Sequence, residues 1–198
     1  MSEFLSVLKN RRSIYALSRE VNISEEQIEN LIKEVVKHSP TAFNSQTQRI
    51  VILFDNANEK LWELTEEALK PLTPAEAFPN TQAKLNSFAN AKGTVLFFED
   101  TDVVRSLQEQ FALYAENFPI WSEQASGLTQ SNVWMALAEA GLGANLQHYN
   151  PVIDEKVQKE WDIPAHWQLR AQLVFGAVEA PANEKEFIDA EDRFKVYR

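Results

Sequence analysis

The chain has no cysteine, which excludes disulfides, thiolate metal ligands and cysteine nucleophiles. It is short of positive charge, with 19 Lys and Arg against 29 Asp and Glu, for a formal net charge of −10. That balance repels a phosphate backbone, and no basic run is longer than Arg11-Arg12, so no nucleic-acid partner is expected. Apolar runs fall far short of the ~20 residues that span a bilayer. The opening MSEFLSVLKNRRS lacks the apolar core of a secretory signal. No membrane association is expected, and the expected compartment is the cytoplasm, which the lack of cysteine suits. The three histidines, His38, His148 and His166, have no ligand-like spacing, so no metal site is expected. Five glycines and eight prolines leave little room for linkers, and one domain over 1–198 is expected.

What is present suffices for a core, with hydrophobic residues at 44 % and aromatics at 11 %. Ser2 caps a short helix carrying Phe4, Leu5 and Leu8 that ends near Asn10–Arg12. Ser24 and Gln27 have capping-box spacing for a second, with Ile28, Leu31, Ile32, Val35 and Val36 on one face. Arg49–Phe54 and Thr94–Glu99 read as buried strands, and Gln168–Val178 alternates as a third. A helix over Ala57–Leu69 is predicted with Asn56 and Glu59 at capping spacing. Pro71–Lys92 reads as an excursion with one helical turn, a candidate lid. Helices are predicted over Asp102–Glu116 and Ser122–Ala140, the second apolar around much of its circumference and ended by Gly141. A strand over Ala144–Gln147, a helix over Asp154–Trp161 and an alternating strand over Arg193–Arg198 complete the reading. This order suits an α+β sandwich better than a regular βαβ array.

Three polar clusters sit at element ends. Arg11-Arg12-Ser13 can clamp a phosphate or simply complement a helix dipole. Asn44 and Gln46, in SPTAFNSQTQR, can meet the C=O/N–H edge of a pyrimidine-like ring or bond their own loop. Arg193 and Lys195, two apart, can share an anion or protect an edge strand. A fourth stretch, GLGANLQHYNP (141–151), is not a dinucleotide fingerprint, because its glycines follow a helix and precede a strand. A phosphate-sized anion, a heterocycle edge and an aromatic-lined cavity together describe a flavin mononucleotide site.

The segments RRSIY (11–15), SPTAFNSQ (39–46), GTVLFFED (93–100), FPIWSEQASG (118–127), GLGANLQHYNP (141–151) and DRFKVY (192–197) resemble the nitroreductase family of FMN-dependent oxidoreductases. The resemblance is to its short branch, related to the fatty-acid repression mutant proteins. It implies an intertwined homodimer of α+β sandwiches, each a central mixed or antiparallel sheet flanked by helices, with FMN at the interface. By motif position, Arg11 and Ser13 contact the FMN phosphate or ribityl chain with Arg12 beside them, and Arg193 and Lys195 complete the clamp. Asn44, with Gln46 close by, addresses the pyrimidine edge from the partner chain. Gln147 and His148 lie along the isoalloxazine, His148 as a hydrogen-bonding group and not a general acid. Phe43, Tyr114, Phe118, Trp121 and Tyr149 are candidates to bound the substrate pocket. Two departures stand out. Tyr15 occupies a position that is often basic in the family, so Arg12 becomes the candidate cation for flavin N1/O2, and Thr47-Gln48 replaces Pro-Trp. The implied activity passes hydride from NADH or NADPH through FMN to a nitroaromatic, quinone or similar small-molecule acceptor, with no catalytic side chain. The alternative is a flavin-bound regulatory protein of the lipid response with little turnover.

Overall fold

Ser24 accepts a hydrogen bond from the Gln27 amide, while the Gln27 side chain accepts one from the Ser24 N–H. The helix so begun, α2 (Glu25–His38), follows α1 (Glu3–Asn10), which Ser2 caps through the Leu5 amide, and a two-residue strand, β1 (Leu17–Ser18). The computed structural model describes residues 2–198. The later elements are β2 (Gln48–Phe54), α3 (Asp55–Leu69), α4 (Phe78–Ala89), β3 (Gly93–Asp100), α5 (Thr101–Gln110), α6 (Asn117–Glu139), β4 (Gly143–Gln147), α7 (Asp154–Glu160) and β5 (Trp167–Val178). Single 3-10 turns lie at Ala42–Asn44 and Ala112–Tyr114.

The sheet is antiparallel throughout its strand pairs. β5 is its centre: β3 lies along one side, and β4 and β1 follow each other along the other side. β2 closes the far edge against β3. Alternation, interrupted by a register shift at Phe97/Phe98 that moves Leu169 to the opposite face from Ala171, sends the strand side chains to two helical layers. Val95, Phe97, Ala171, Leu173 and Phe175 meet Ile28 and Ile32 of α2 and Val133 and Leu137 of α6. Leu96, Phe98, Leu169 and Val174 meet Leu61 and Trp62 of α3, Leu85 and Phe88 of α4, and Val157 of α7. Each such fully buried side chain contributes roughly 1.5–3 kcal/mol, so the two layers fix the register of β3 and β5.

Several sequence expectations are corrected. α3 starts directly after β2, with Asp55 in the left-handed region (φ 43°) as the turn residue, a conformation that Asp tolerates. No side chain caps it, so the Asn56/Glu59 reading fails. The 71–92 excursion contains a full helix, α4, which Pro79 opens in its first turn. Leu85 and Phe88 bury it against α3, which is a docked helix and not a lid. α5 stops at Gln110 and α6 begins at Asn117, before the expected Ser122, because Pro119 is tolerated in a first turn. β2, read as buried, is a half-exposed edge strand in which Leu53 alone is buried. Residues 193–198 form no strand: Arg193 closes a turn onto Ala190 and the rest is exposed. An alternating pattern needs a free sheet edge to pair with, and this stretch meets none.

Candidate functional site

Ser13 and β4 are neighbours. A parallel bridge joins Ser13 to Ala144, and the Ile14 amide donates to the Ala144 carbonyl at 2.9 Å. The buried Asn145 side chain reinforces the junction by donating to the Ile14 carbonyl at 2.8 Å, and the buried Gln147 amide donates to Asn145 Oδ1 at 2.8 Å. The first polar cluster and the 141–151 segment therefore form one surface. Arg11 follows α1, half-buried, its guanidinium 4.3 Å above the Trp134 ring of α6. The Trp134 indole N–H beside it is buried without a partner. Burial, then the adjacent Arg12 cation, pulls Arg11 below its ordinary pKa. No acid in the described ion pairs neutralises Arg11 or Arg12. Arg11, Arg12 and Ser13 line one wall of a cleft of about 490 Å³, and residues 181–185 line the other. Arg193 and Lys195 are outside that lining, in the exposed tail. His148 is exposed just past β4.

The loop before β2 bears Asn44 and Gln46, both exposed. Phe43, Asn44 and Gln46 all have left-handed backbone (φ 57°, 50° and 47°). For a phenylalanine that costs of order 1 kcal/mol, so the surroundings must hold it. They do so at both ends. Arg49 donates to the Gln46 carbonyl at 2.9 Å and pairs with Asp100, the cap of α5, at 2.8 Å. Phe43, although 51 % exposed, stacks on Trp121 (5.8 Å between centroids, 19° between planes) and touches Phe118 and Tyr114. Four of the five expected pocket residues thus come together. Tyr149 stands apart, edge-on to Trp62, its hydroxyl pKa raised by burial and then by Tyr15.

Trp121 and Trp134 lie thirteen residues apart on α6, about 20 Å at 1.5 Å per residue. Within one chain the Asn44 loop and the Arg11 cleft therefore occupy opposite ends of α6, and the structure does not bring them together.

Behind the loop sits Glu99, 1 % exposed, accepting from Ser122 Oγ at 2.5 Å through one oxygen, with the other oxygen unpartnered. Burial pushes its carboxyl above the usual range, helped by Glu123 and opposed by the Ser122 and Thr47 hydroxyls and by Arg170. The folded carboxyl keeps its proton while the unfolded one loses it near the ordinary 4.5. Stability from this group is therefore full below that pH and declines as pH rises, until the folded carboxyl ionises. Glu99→Gln keeps the polar shape without the charge. Melting temperatures measured from acid to neutral pH should be similar for the two proteins at the acid end, with the wild type falling below the variant as pH rises. A constant difference between the two proteins would show that Glu99 ionises normally.

A family model described as the Nitroreductase family matches residues 8–177. The chain belongs to the nitroreductase family. Nitroreductase FRM2 from Saccharomyces cerevisiae is 34 % identical over 191 residues, 94 % of this chain and 93 % of that protein. Nitroreductase CinD from Lactococcus lactis, solved in complex with nicotinic acid, matches with a TM-score of 0.93 at 59 % identity over 99 % of this chain and 100 % of that one. Its complex with 4-nitrophenol matches at 0.91 and 58 %, with the same coverage. A Desulfovibrio desulfuricans protein in complex with FMN shares the fold at a TM-score of 0.71 and 18 % identity, over 100 % and 99 % of the two chains. The family and the α+β sandwich expected from the nitroreductase motifs are both borne out. Among the described residues no helix is long and apolar enough to cross a membrane.

Trp134, Phe111 and Glu99 adjoin the candidate site without a sequence signal that singles them out. Phe111 packs on Phe43 at 5.1 Å and completes the aromatic group. A helix running unbroken through 116 would leave Phe111 mid-helix, whereas α5 stops at Gln110 and frees its side chain to reach the loop. The buried unpartnered atoms of Trp134 and Glu99 leave no trace in residue spacing.

Proposed function

We propose that this chain is an FMN-dependent oxidoreductase that takes reducing equivalents from NADH or NADPH and passes them to nitroaromatic, quinone or similar acceptors in two alternating half-reactions. The observation that carries this reading is the cleft at Arg11–Ser13, where cations that hold no ion pair among the described residues meet β4. That arrangement suits a phosphate with a planar ring laid along the strand. The solved complexes of CinD with nicotinic acid and 4-nitrophenol support a donor and an acceptor of these classes. Bound FMN would supply the hydride chemistry, accepting at N5 and releasing from there.

The side chains bind and orient. Arg11 and Ser13, with Arg193 and Lys195 of the tail, hold the phosphate. Gln147 and His148 lie beside the ring, and Asn44 and Gln46 from a second copy meet its pyrimidine edge. The 20 Å between the two ends of α6 supports delivery of Asn44 by a partner. So does apolar surface left open on one chain, including Phe4, Leu5 and Leu8 of α1 and Ile120 and Leu128 of α6. Phe43, Tyr114, Phe118 and Trp121, with Tyr149 further off, bound the space for the acceptor, and the strained 43–46 backbone is the part of that boundary set for a task.

The purified protein should be yellow, run at twice the chain mass and lose its visible flavin absorbance anaerobically when NADH or NADPH is added. Bleaching by neither donor would sink the enzyme reading and leave a flavin-bound regulatory protein.

A further inference from the structure

The cleft beside Ser13 contains a third cation, Lys185, contributed by the segment that follows β5. Lys185 holds no ion pair among the described residues, and neither does Arg11 or Arg12. The one acid in the lining is Glu184. Three cations against one carboxylate leave the cleft with a net positive charge, in a chain whose overall charge is −10. Like charges gathered in a shared concavity repel one another, and an anion between them offsets that cost.

The three cations are not equivalent. Arg12 Nη2 donates to the backbone carbonyl of Asn183, so one arm of its fork ties 181–185 to the α1 end. Arg11 is held on Trp134. Lys185 has its ammonium 4.7 Å from the Phe187 ring centre, a contact within its own segment. It keeps three N–H donors for a ligand.

Resting on the FMN reading above, we infer that Lys185 is a ligand of the flavin phosphate and that Arg12 is the positioning residue that latches Lys185 into the cleft. This gives Arg12 a task other than charge compensation at the flavin ring. It also closes the phosphate site from the same chain that supplies Arg11 and Ser13.

The test titrates FMN and riboflavin separately into the purified full-length chain, freed of bound flavin, and follows flavin fluorescence. Riboflavin lacks the phosphate and so reads the ring site alone. Lys185→Ala should raise the Kd for FMN about tenfold, the loss of a hydrogen bond to a charged group, and leave riboflavin binding unchanged. Lys185→Arg should restore most of the affinity. Arg12→Ala should produce a similar loss for FMN, and the double variant should be no weaker than Lys185→Ala, because both act through one ammonium group. Unchanged FMN affinity in Lys185→Ala, or equal losses for FMN and riboflavin, overturns the ligand assignment. Additive losses in the double variant overturn the latch. A wild-type chain that binds neither flavin overturns the FMN reading and this inference with it. A wild-type chain that prefers FMN beside an unaffected Lys185→Ala overturns the inference alone. Circular dichroism and melting temperature check that each variant folds.

Discussion

Arg11→Ala is expected to raise the Kd for FMN about a hundredfold and to yield largely colourless protein with an unchanged fold. The guanidinium is fixed over Trp134 and partly desolvated, and it holds no ion pair among the described residues, so little reorganisation is needed when a phosphate arrives. Two charge-assisted hydrogen bonds from one planar fork are worth roughly 3 kcal/mol together, and each 1.4 kcal/mol is about tenfold in affinity. Removing the side chain also uncovers the Trp134 ring but cuts no backbone hydrogen bond. Equilibrium titration with FMN, alongside riboflavin, checks the prediction. Full retention of FMN by the variant would place the phosphate elsewhere in the molecule.

The second large effect concerns stability. Asn58, fully buried on α3, joins three elements through one amide. Its Nδ2 donates to the carbonyls of Phe88, Ala89 and Ala91 at 2.9, 3.2 and 3.3 Å, where α4 ends and the chain turns into β3. Its Oδ1 accepts from the Trp62 indole at 3.1 Å and from the Thr94 hydroxyl at 2.6 Å. Asn58→Leu fits the volume yet leaves several of these groups without partners in a water-free region. Each costs ~1–3 kcal/mol, so a loss of about 4 kcal/mol is expected, close to the whole stability of a marginal domain. Urea unfolding reads this directly. A midpoint within error of the wild type would mean that the carbonyls find other donors.

Neither Asn58 nor the Arg12 latch is visible in the sequence, and the reason is common to both. Patterning exposes elements whose burial repeats. The strand at Gln168–Val178 and the capping box at Ser24 correspond to real structure because each is set within one element, although a register shift opposite Phe97/Phe98 sends Leu169 to the other layer from Ala171, Leu173 and Phe175. Asn58 instead works through carbonyls thirty residues onward, and a polar residue inside a helical pattern reads as solvent-facing. The tail shows the converse. RFKVYR alternates as well as β5 does, yet pairing requires an unoccupied edge, which no short pattern encodes. Within the site, the Arg11–Ser13 cluster, the Asn44 loop and GLGANLQ were each legible as chemistry. That the first and third share a surface while the second lies at the other end of α6 follows from the fold. Lys185, one base in an acidic tail stretch (NEKEFIDAED), carries no signal until 181–185 is seen across the cleft.

The central place of β5 bears on how the chain is made. β5 is the last strand to be synthesised, yet β1, β3 and β4 all pair with it, and Leu17 waits for Val178. A nascent chain leaving the ribosome can dock β2 against β3 early, but it carries an open β3 edge and an unsupported β4 until β5 emerges. Such sequence-distant closure slows folding and exposes strand edges to association. The Arg11–Ser13 cleft, built on β4 and closed by residues beyond β5, therefore exists only once β5 and the segment after it have been made.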